Sequence, residues 1–420
     1  MKIKQIKLDY DQVVKLPKPK ALKPLAPSFL LSTVVRVLAG IELAKTKFTY
    51  TAENLEVLKK GPCLILMNHS SFLDLKIASK ILYPKKYNII STSDGLVGKK
   101  LLMRLLGCVP TKKFVSDISL IRDMKSIFAK GRHVLMYPEA GYSFDGCATP
   151  LPKKFGVLLK SLKVPVVTII TKGAFAYDPL YNGLQIRKVQ TSAHAKCLFT
   201  KEEIESLSVE ELSKGVEKEF NFDNFAWQQQ NKIKIAEPFR ADGLDRILYK
   251  CPHCGSEGTT LGLGVNLTCS ACKKSYFLNE YGYMVAEDGN TEFPHIPDWF
   301  NWQRQEVKKQ ILNGTYLLDT EVEIGMLVDY KALYRIGSGR LIHNENGFVL
   351  TGANGKLNYQ QSATASYTLN ADYYWYEIDD VICIGDTNAL YYCFPKTKGV
   401  VSKTRLAVEE LYKIKKGEKI

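Results

Sequence analysis

A chain of 420 residues is too long for one ordinary hydrophobic core, so two or three domains are expected. Its 45% hydrophobic and 24% charged residues exclude a disordered chain over most of the length. The net charge of +15 is uneven: residues 1–130 hold 24 Lys and Arg against 9 Asp and Glu, whereas residues 131–420 hold 34 of each.

A basic amino-terminal third suits an anionic partner, either lipid headgroups or nucleic acid; the bland alternative is a solubilising excess of charge. The start MKIKQIKLDYDQ lacks the apolar stretch of a secretion signal. The ten cysteines do not read as a disulfide framework, so a cytoplasmic chain with free thiols is expected. No run approaches 18 uncharged apolar residues, and no spanning helix is expected.

Residues 1–26 read as an extended lead-in rich in Lys and Pro. Pro27 and Ser28 then start a helix that runs to Lys45. Leu30, Leu31, Val34, Val35, Leu38, Ile41 and Leu43 give it a broad apolar surface, preceded by Lys15, Lys18, Lys20 and Lys23. Such a helix either lies in the interface of an anionic membrane or covers a sheet.

A short strand at 48–50 precedes the first well-marked one, residues 64–67 (LILM), which runs into the polar cluster NHSS. A helix over 74–82 ends at Pro84. Strands at 87–92, 132–137 and 164–171 alternate with helices at 101–106, 115–129 and 155–161, the first of these helices closed by Gly107. After strand-like sequence from Gly183, one helix over 201–220 is expected, with Thr200 and Glu203 as a capping box. The alternation predicts an α/β domain over residues 1–235: a mixed sheet flanked by helices.

His69 falls at the carboxyl end of strand 64–67, the edge where open α/β sheets keep reactive groups. A turn between His69 and Asp74 lets the carboxylate fold back beneath the imidazole. An acid accepting from one ring nitrogen fixes the tautomer and makes the other nitrogen more basic, able to deprotonate a hydroxyl. The plain alternative is a surface histidine and a helix-start carboxylate placed by the dipole. Ser70 and Ser71 adjoin the histidine without a G-x-S-x-G elbow, which disfavours an acyl-serine hydrolase.

YPEAGYS, residues 137–143, follows its strand as NHSSFLD follows LILM. Ala140 and Gly141 let a bound group approach the backbone, and Glu139 holds either substrate or the loop itself. Lys112 and Lys113 in TKKF can take a phosphate as point charges, as can Lys153 and Lys154 downstream.

Residues 245–285 contain C251-P-H-C254 and C269-S-A-C272. Two CxxC pairs at this spacing predict a zinc ribbon in which Cys251, Cys254, Cys269 and Cys272 close a tetrahedron around a structural Zn2+. Residues 286–420 read as a linker helix, a strand-rich stretch with turns at IGSGR, NENG, ANGK and IGDTN, and a terminal amphipathic helix near 400–412. A PH- or GRAM-like barrel and a plain sandwich both fit.

The order NHSSFLD, GCVPTKK, YPEAGYS, VPVV resembles the glycerolipid acyltransferase family, which carries an HxxxxD motif, a block of glycine and basic residues, an FPEG-type motif and a VP strand. The resemblance covers roughly residues 25–220. It implies that His69 is the general base and Asp74 its orienting acid. It implies that Gly107 with Lys112 or Lys113 holds a glycerol phosphate, that Glu139 is the third-motif glutamate, and that Val164, Pro165 and Val166 line the acyl side. Ser70, Ala140, Gly141 and Tyr142 are expected to contact substrate.

The implied reaction moves an acyl group from acyl-CoA or acyl carrier protein to a lysophospholipid, first of all lysophosphatidic acid to give phosphatidic acid, with no catalytic cofactor. It also implies peripheral association with the inner face of the cell membrane. The family's G-T-R-S is here Ala140-Gly141-Tyr142-Ser143, so its phosphate-contacting arginine is absent. That favours, as one alternative, another lyso-lipid or lipid alcohol as acceptor; the other alternative is a non-catalytic lipid- or nucleic-acid-binding adaptor that presents surfaces of this domain and the ribbon. Nucleic acid is the weaker partner, because the ribbon lacks a dense basic run.

Overall fold

The strand Leu64–Met67 is buried on both faces, as its unbroken apolar run requires, and it sits in the middle of a seven-stranded sheet. The computed structural model describes residues 2–111, 118–139 and 141–417. In spatial order the strands are Thr49–Glu53, Ser192–Phe199, Val166–Lys172, Leu64–Met67, His133–Met136, Tyr87–Thr92 and Cys108–Thr111. The last five run parallel; Ser192–Phe199 opposes them and Thr49–Glu53 follows it in parallel, so the sheet is mixed as expected.

Alternation along Leu64–Met67 divides the core. Ile65 and Met67 pack with Leu43, Ile77 and Leu82 on one side, while Leu64 and Leu66 meet Phe128, Leu159, Phe199 and Leu212 on the other. The helix Phe29–Lys45 buries only Ala39 and Leu43 and is tied to the helix Asp74–Leu82 by Lys76 Nζ and Glu42 at 2.6 Å. Its other face leaves Phe29, Leu30, Val34, Val37, Leu38 and Ile41 exposed, Leu30 to 72%, and Leu101 and Leu102 of the helix Lys100–Leu105 are exposed as well.

The stretch expected as one helix over 201–220 is two helices, Lys201–Ser206 and Val209–Glu219. Each has its own capping box, Thr200 with Glu203 and Ser208 with Glu211, and Leu207 between them is extended.

A four-stranded antiparallel sheet, Thr260–Leu263, Asn266–Cys269, Ser275–Leu278 and Met284–Ala286, carries the cysteine pairs. The helix Ile296–Leu312 anchors it. Fully buried Trp299 donates from Nε1 to the Lys250 carbonyl at 2.9 Å and meets Tyr276 edge-on, and Gln303 exchanges bonds with Lys250 N and the Ile247 carbonyl.

The remaining strands form an antiparallel sheet in the order Leu357–Ser362, Gly347–Gly352, Leu333–Asn344, Leu318–Leu327, Leu390–Pro395, Asp379–Gly385, Asn370–Trp375, followed by the helix Val400–Lys415. That helix differs from the amphipathic one expected: every residue from Val401 to Leu411 except Lys403 is enclosed, with Arg405, Glu409 and Glu410 inside. Paired charges rather than apolar residues fill its second face.

The amino-terminal lead-in is also not merely extended. Gln5–Lys7 adds a parallel strand beside Leu333, Tyr334 and Arg335, and Val13 of the short helix Tyr10–Val14 is buried against the carboxy-terminal part. One core cluster joins Phe144, Phe175, Tyr181 and Phe225 to Trp299, Tyr276, Tyr373 and Leu406, so the three sequence regions share their packing.

Candidate active site

Because Leu64–Met67 and His133–Met136 are parallel and in register at Leu64 and Val134, the turns after them leave the sheet side by side. His69 and Glu139 therefore meet. The His69 backbone N–H donates to Glu139 Oε2 at 2.8 Å, and the Ser143 N–H donates to the His69 carbonyl at 3.1 Å. Glu139 Oε1 accepts from Thr149 N at 3.0 Å and from its hydroxyl at 3.3 Å. Both oxygens of this buried carboxyl are thus occupied within the loops. Burial pushes Glu139 up to about 7, against the opposing pull of its N–H donors.

Asp74 opens the helix Asp74–Leu82 and points back toward the turn. Its Oδ2 lies 3.0 Å from His69 Nδ1 and accepts from Ser70 N at 2.8 Å and Ser71 N at 3.1 Å. The buried carboxylate therefore requires the proton on Nδ1 and leaves Nε2 as the basic nitrogen. The ring is clamped between Tyr137, with centroids 4.0 Å apart, and Tyr142 at 3.8 Å, with Phe72 stacked beyond Tyr142. With both faces covered, the histidine side chain still keeps 21% of its surface exposed. Ser70 is buried beside it and its hydroxyl has no hydrogen-bond partner among the described residues.

Several supporting contacts were not read from the sequence. Asn68 laces strand 64–67 to its neighbour by accepting from Thr171 N at 2.8 Å and donating to the Thr171 carbonyl at 3.3 Å. The Ser71 hydroxyl donates to Asp178 at 2.5 Å and accepts from Leu73 N at 2.9 Å. Burial, with the Asp74 charge nearby, holds Asp178 up at about 7. Asp178 follows the strand Val166–Lys172 on the same carboxyl edge as His69, and that edge rule was the available signal.

The expected substrate contacts separate into two sets. Ser70, Glu139 and Tyr142 gather around His69; Gly141 adjoins Tyr142 in the chain, and a Cβ on it would meet only open space. Gly107 and Pro165 do not gather there. Each precedes a strand parallel to Leu64–Met67, so each lies at the amino-terminal edge, about 13 Å of strand away from the turn that bears His69.

The reason for Gly107 is backbone conformation. Its φ is +91°, a Cβ would press on the Tyr87 carbonyl and Pro27, and its carbonyl accepts from Asn88 Nδ2 at 2.8 Å. The Pro165 carbonyl accepts from Leu64 N at 2.9 Å, and Val166 is core. Lys112, Lys113 and Ala140 lie outside the described residues.

Far from this edge, one ligand atom from each of Cys251, Cys254, Cys269 and Cys272 lies within 4.8 Å of the others. Backbone N–H groups of His253 and Cys254 face the Cys251 sulfur, and those of Ala271 and Cys272 face the Cys269 sulfur. Four sulfurs gathered on two N–H-rich turns fit a metal held for structure.

Residues 49–172 match the Acyltransferase family model, the segment that carries His69, Asp74 and Glu139. Among solved structures, the 1-acyl-sn-glycerophosphate (LPA) acyltransferase PlsC from Thermotoga maritima is similar over 45% of this chain and 77% of that one, at 17% identity and a TM-score of 0.34. No curated protein matches the chain. The protein thus has an amino-terminal α/β domain resembling an acyltransferase, followed by a four-cysteine cluster and a β-rich region.

Proposed function

We propose that the protein is an acyltransferase that esterifies the free hydroxyl of a lysophospholipid. The observation that carries this is the pairing of His69 with buried Asp74, at 3.0 Å, inside the segment that matches the acyltransferase family model. His69 Nε2 takes the proton of the acceptor hydroxyl as that oxygen attacks the thioester carbonyl of acyl-CoA or acyl carrier protein. Asp74 stabilises the imidazolium that forms. When the tetrahedral adduct collapses, the carbon–sulfur bond breaks and the imidazolium returns its proton to the leaving thiolate. The new ester retains the acyl group, and no covalent enzyme intermediate is needed.

Lysophosphatidic acid is the first acceptor to test, on the strength of the four ordered motifs. A non-phosphorylated or larger lipid alcohol is the second reading. Its support is Tyr142, which fills the place of the family's arginine and lies against His69 instead of offering a charge. His69→Ala should abolish product formation from a thioester and a panel of lyso-lipids while leaving the melting temperature intact; turnover retained in that variant would refute the assignment.

The four cysteines are read as a structural Zn2+ site. The exposed stripe on the helix Phe29–Lys45, behind its run of lysines, is read as the seat on an anionic membrane at the inner face of the cell membrane. No helix among the described residues is long and apolar enough to cross it. Nucleic acid is the weaker partner because Lys250 and Lys274 in the ribbon region are engaged with Glu306, Asp288 and Glu292.

A further inference from the structure

The loop that covers His69 is held from outside its own domain. Arg405, on the helix Val400–Lys415, is 4% exposed and donates from Nη1 to the Tyr142 carbonyl at 3.1 Å. Its guanidinium lies over the Phe144 ring, 4.3 Å from the centroid, and Nε donates to Glu409 at 3.3 Å. Glu409 is itself fixed by Arg304 at 2.7 Å and by the Thr368 hydroxyl at 2.7 Å. Phe144 packs in turn on Tyr373 at 4.5 Å, and the Tyr373 hydroxyl donates to the Arg246 carbonyl at 2.8 Å.

Two residues before Phe144, the Tyr142 ring lies on His69. Three demands meet at one side chain: donate to a carbonyl, stack on a ring and pair with a carboxylate. A planar guanidinium can satisfy all three and an ammonium cannot. The structure assigns Arg405 as a positioning residue that holds Tyr142 stacked over the imidazole, so that the carboxy-terminal module completes the site of the amino-terminal domain. This rests on the acyltransferase reading only for what the site does; the geometry it concerns is the cover over the ring.

Arg405 touches neither the reacting atoms nor His69, and its effect passes through the Tyr142 backbone and the placement of that ring. With one face uncovered, the imidazole is free to turn about its side-chain bonds and lose its alignment with Asp74. Loss of Arg405 should therefore lower kcat more than it raises KM. It should also open the ring to small electrophiles, which a purely structural defect elsewhere in the module would not do.

The test uses the full chain and diethyl pyrocarbonate, with modification of the His69 peptide followed by mass spectrometry. In Arg405→Met the ring should react about five- to tenfold faster than in the unsubstituted protein. In Arg405→Lys it should react at an intermediate rate, and in Tyr142→Ala at the rate of Arg405→Met or above. The double variant should react no faster than Tyr142→Ala alone, because both changes remove the same cover.

Should Arg405→Met fail to fold, Phe144→Leu keeps the charge pairs while removing the ring beneath the guanidinium, and a rise of about threefold is expected. An unchanged labelling rate in folded Arg405→Met or Phe144→Leu would overturn the proposal, as would additive rates in the double variant. Turnover surviving in His69→Ala would instead sink the acyltransferase reading and leave the labelling result standing.

Discussion

Asp74→Asn separates the chemistry from the fold. In the native site Oδ2 accepts three hydrogen bonds, from His69 Nδ1, Ser70 N and Ser71 N, while Oδ1 is buried without a hydrogen-bond partner among the described residues. An asparagine can keep its carbonyl in the Oδ2 position. Each bond then changes from charge-assisted, about 1.5–3 kcal/mol, to neutral, about 0.5–1.5 kcal/mol, a loss of roughly 3–4 kcal/mol over the three. Removing a buried charge with one unpaired oxygen returns several kcal/mol of desolvation. The net change in stability should stay within about 2 kcal/mol, or a few degrees in Tm.

The imidazolium of the proposed proton transfer has no such compensation. Losing its carboxylate should lower turnover by about 10^3- to 10^4-fold, as in hydrolytic triads that lose theirs, or about 4–5.5 kcal/mol in the barrier. The assay is thioester-dependent product formation, read beside thermal unfolding of the same preparation. Turnover within tenfold of the unsubstituted protein, in a folded variant, would refute the role given to Asp74.

Stability should also depend on pH through Glu139 and Asp178. Both titrate near 7 when folded, against ordinary values of 4.5 and 3.8, so the folded chain keeps protons that the unfolded chain releases. Their contribution is full below about pH 4 and is lost as pH rises toward 7; Tm should therefore fall between about pH 4 and 7 and level off above, and Glu139→Gln should flatten that slope.

Leu30→Glu with Leu38→Glu should cut binding to anionic vesicles by about 10^2- to 10^4-fold in co-sedimentation, at roughly 1.5–3 kcal/mol per side chain, with Tm nearly unchanged because both side chains are exposed. Native mass spectrometry should find one zinc per chain. Cys254→Ser or strong chelation should then lower Tm by many degrees, since the four-cysteine region packs Leu267 and Tyr276 into the core around Trp299.

What sequence made legible was local. An apolar run ending in polar residues marks Leu64–Met67, a five-residue spacing across a turn allows Asp74 to reach His69, and two CxxC pairs gather into one cluster. The split at Leu207 was also written locally, in the second S-x-x-E box at Ser208 and Glu211. The unread features join distant segments.

Neither Arg405 under Tyr142 nor Asp178 under Ser71 leaves a periodic trace in its own neighbourhood. The helix Val400–Lys415 misled for a related reason: Arg405, Glu409 and Glu410 look like a solvated face, yet they neutralise one another and Arg304 inside the protein. Gly107 and Pro165 stand in motifs beside candidate site residues in the text of the chain, but the direction of their strands carries them to the other edge.

The parallel pairing of Gln5–Lys7 with Leu333–Arg335 imposes a schedule on synthesis. As the nascent chain leaves the ribosome, the apolar stripe of Phe29–Lys45 is exposed long before the partner of the first strand has been made. A bilayer can capture that helix at this early stage, and the leading segment must wait for residue 333 before it settles. In the membrane seating proposed above, anchoring comes before closure, and the chain finishes assembling on that surface.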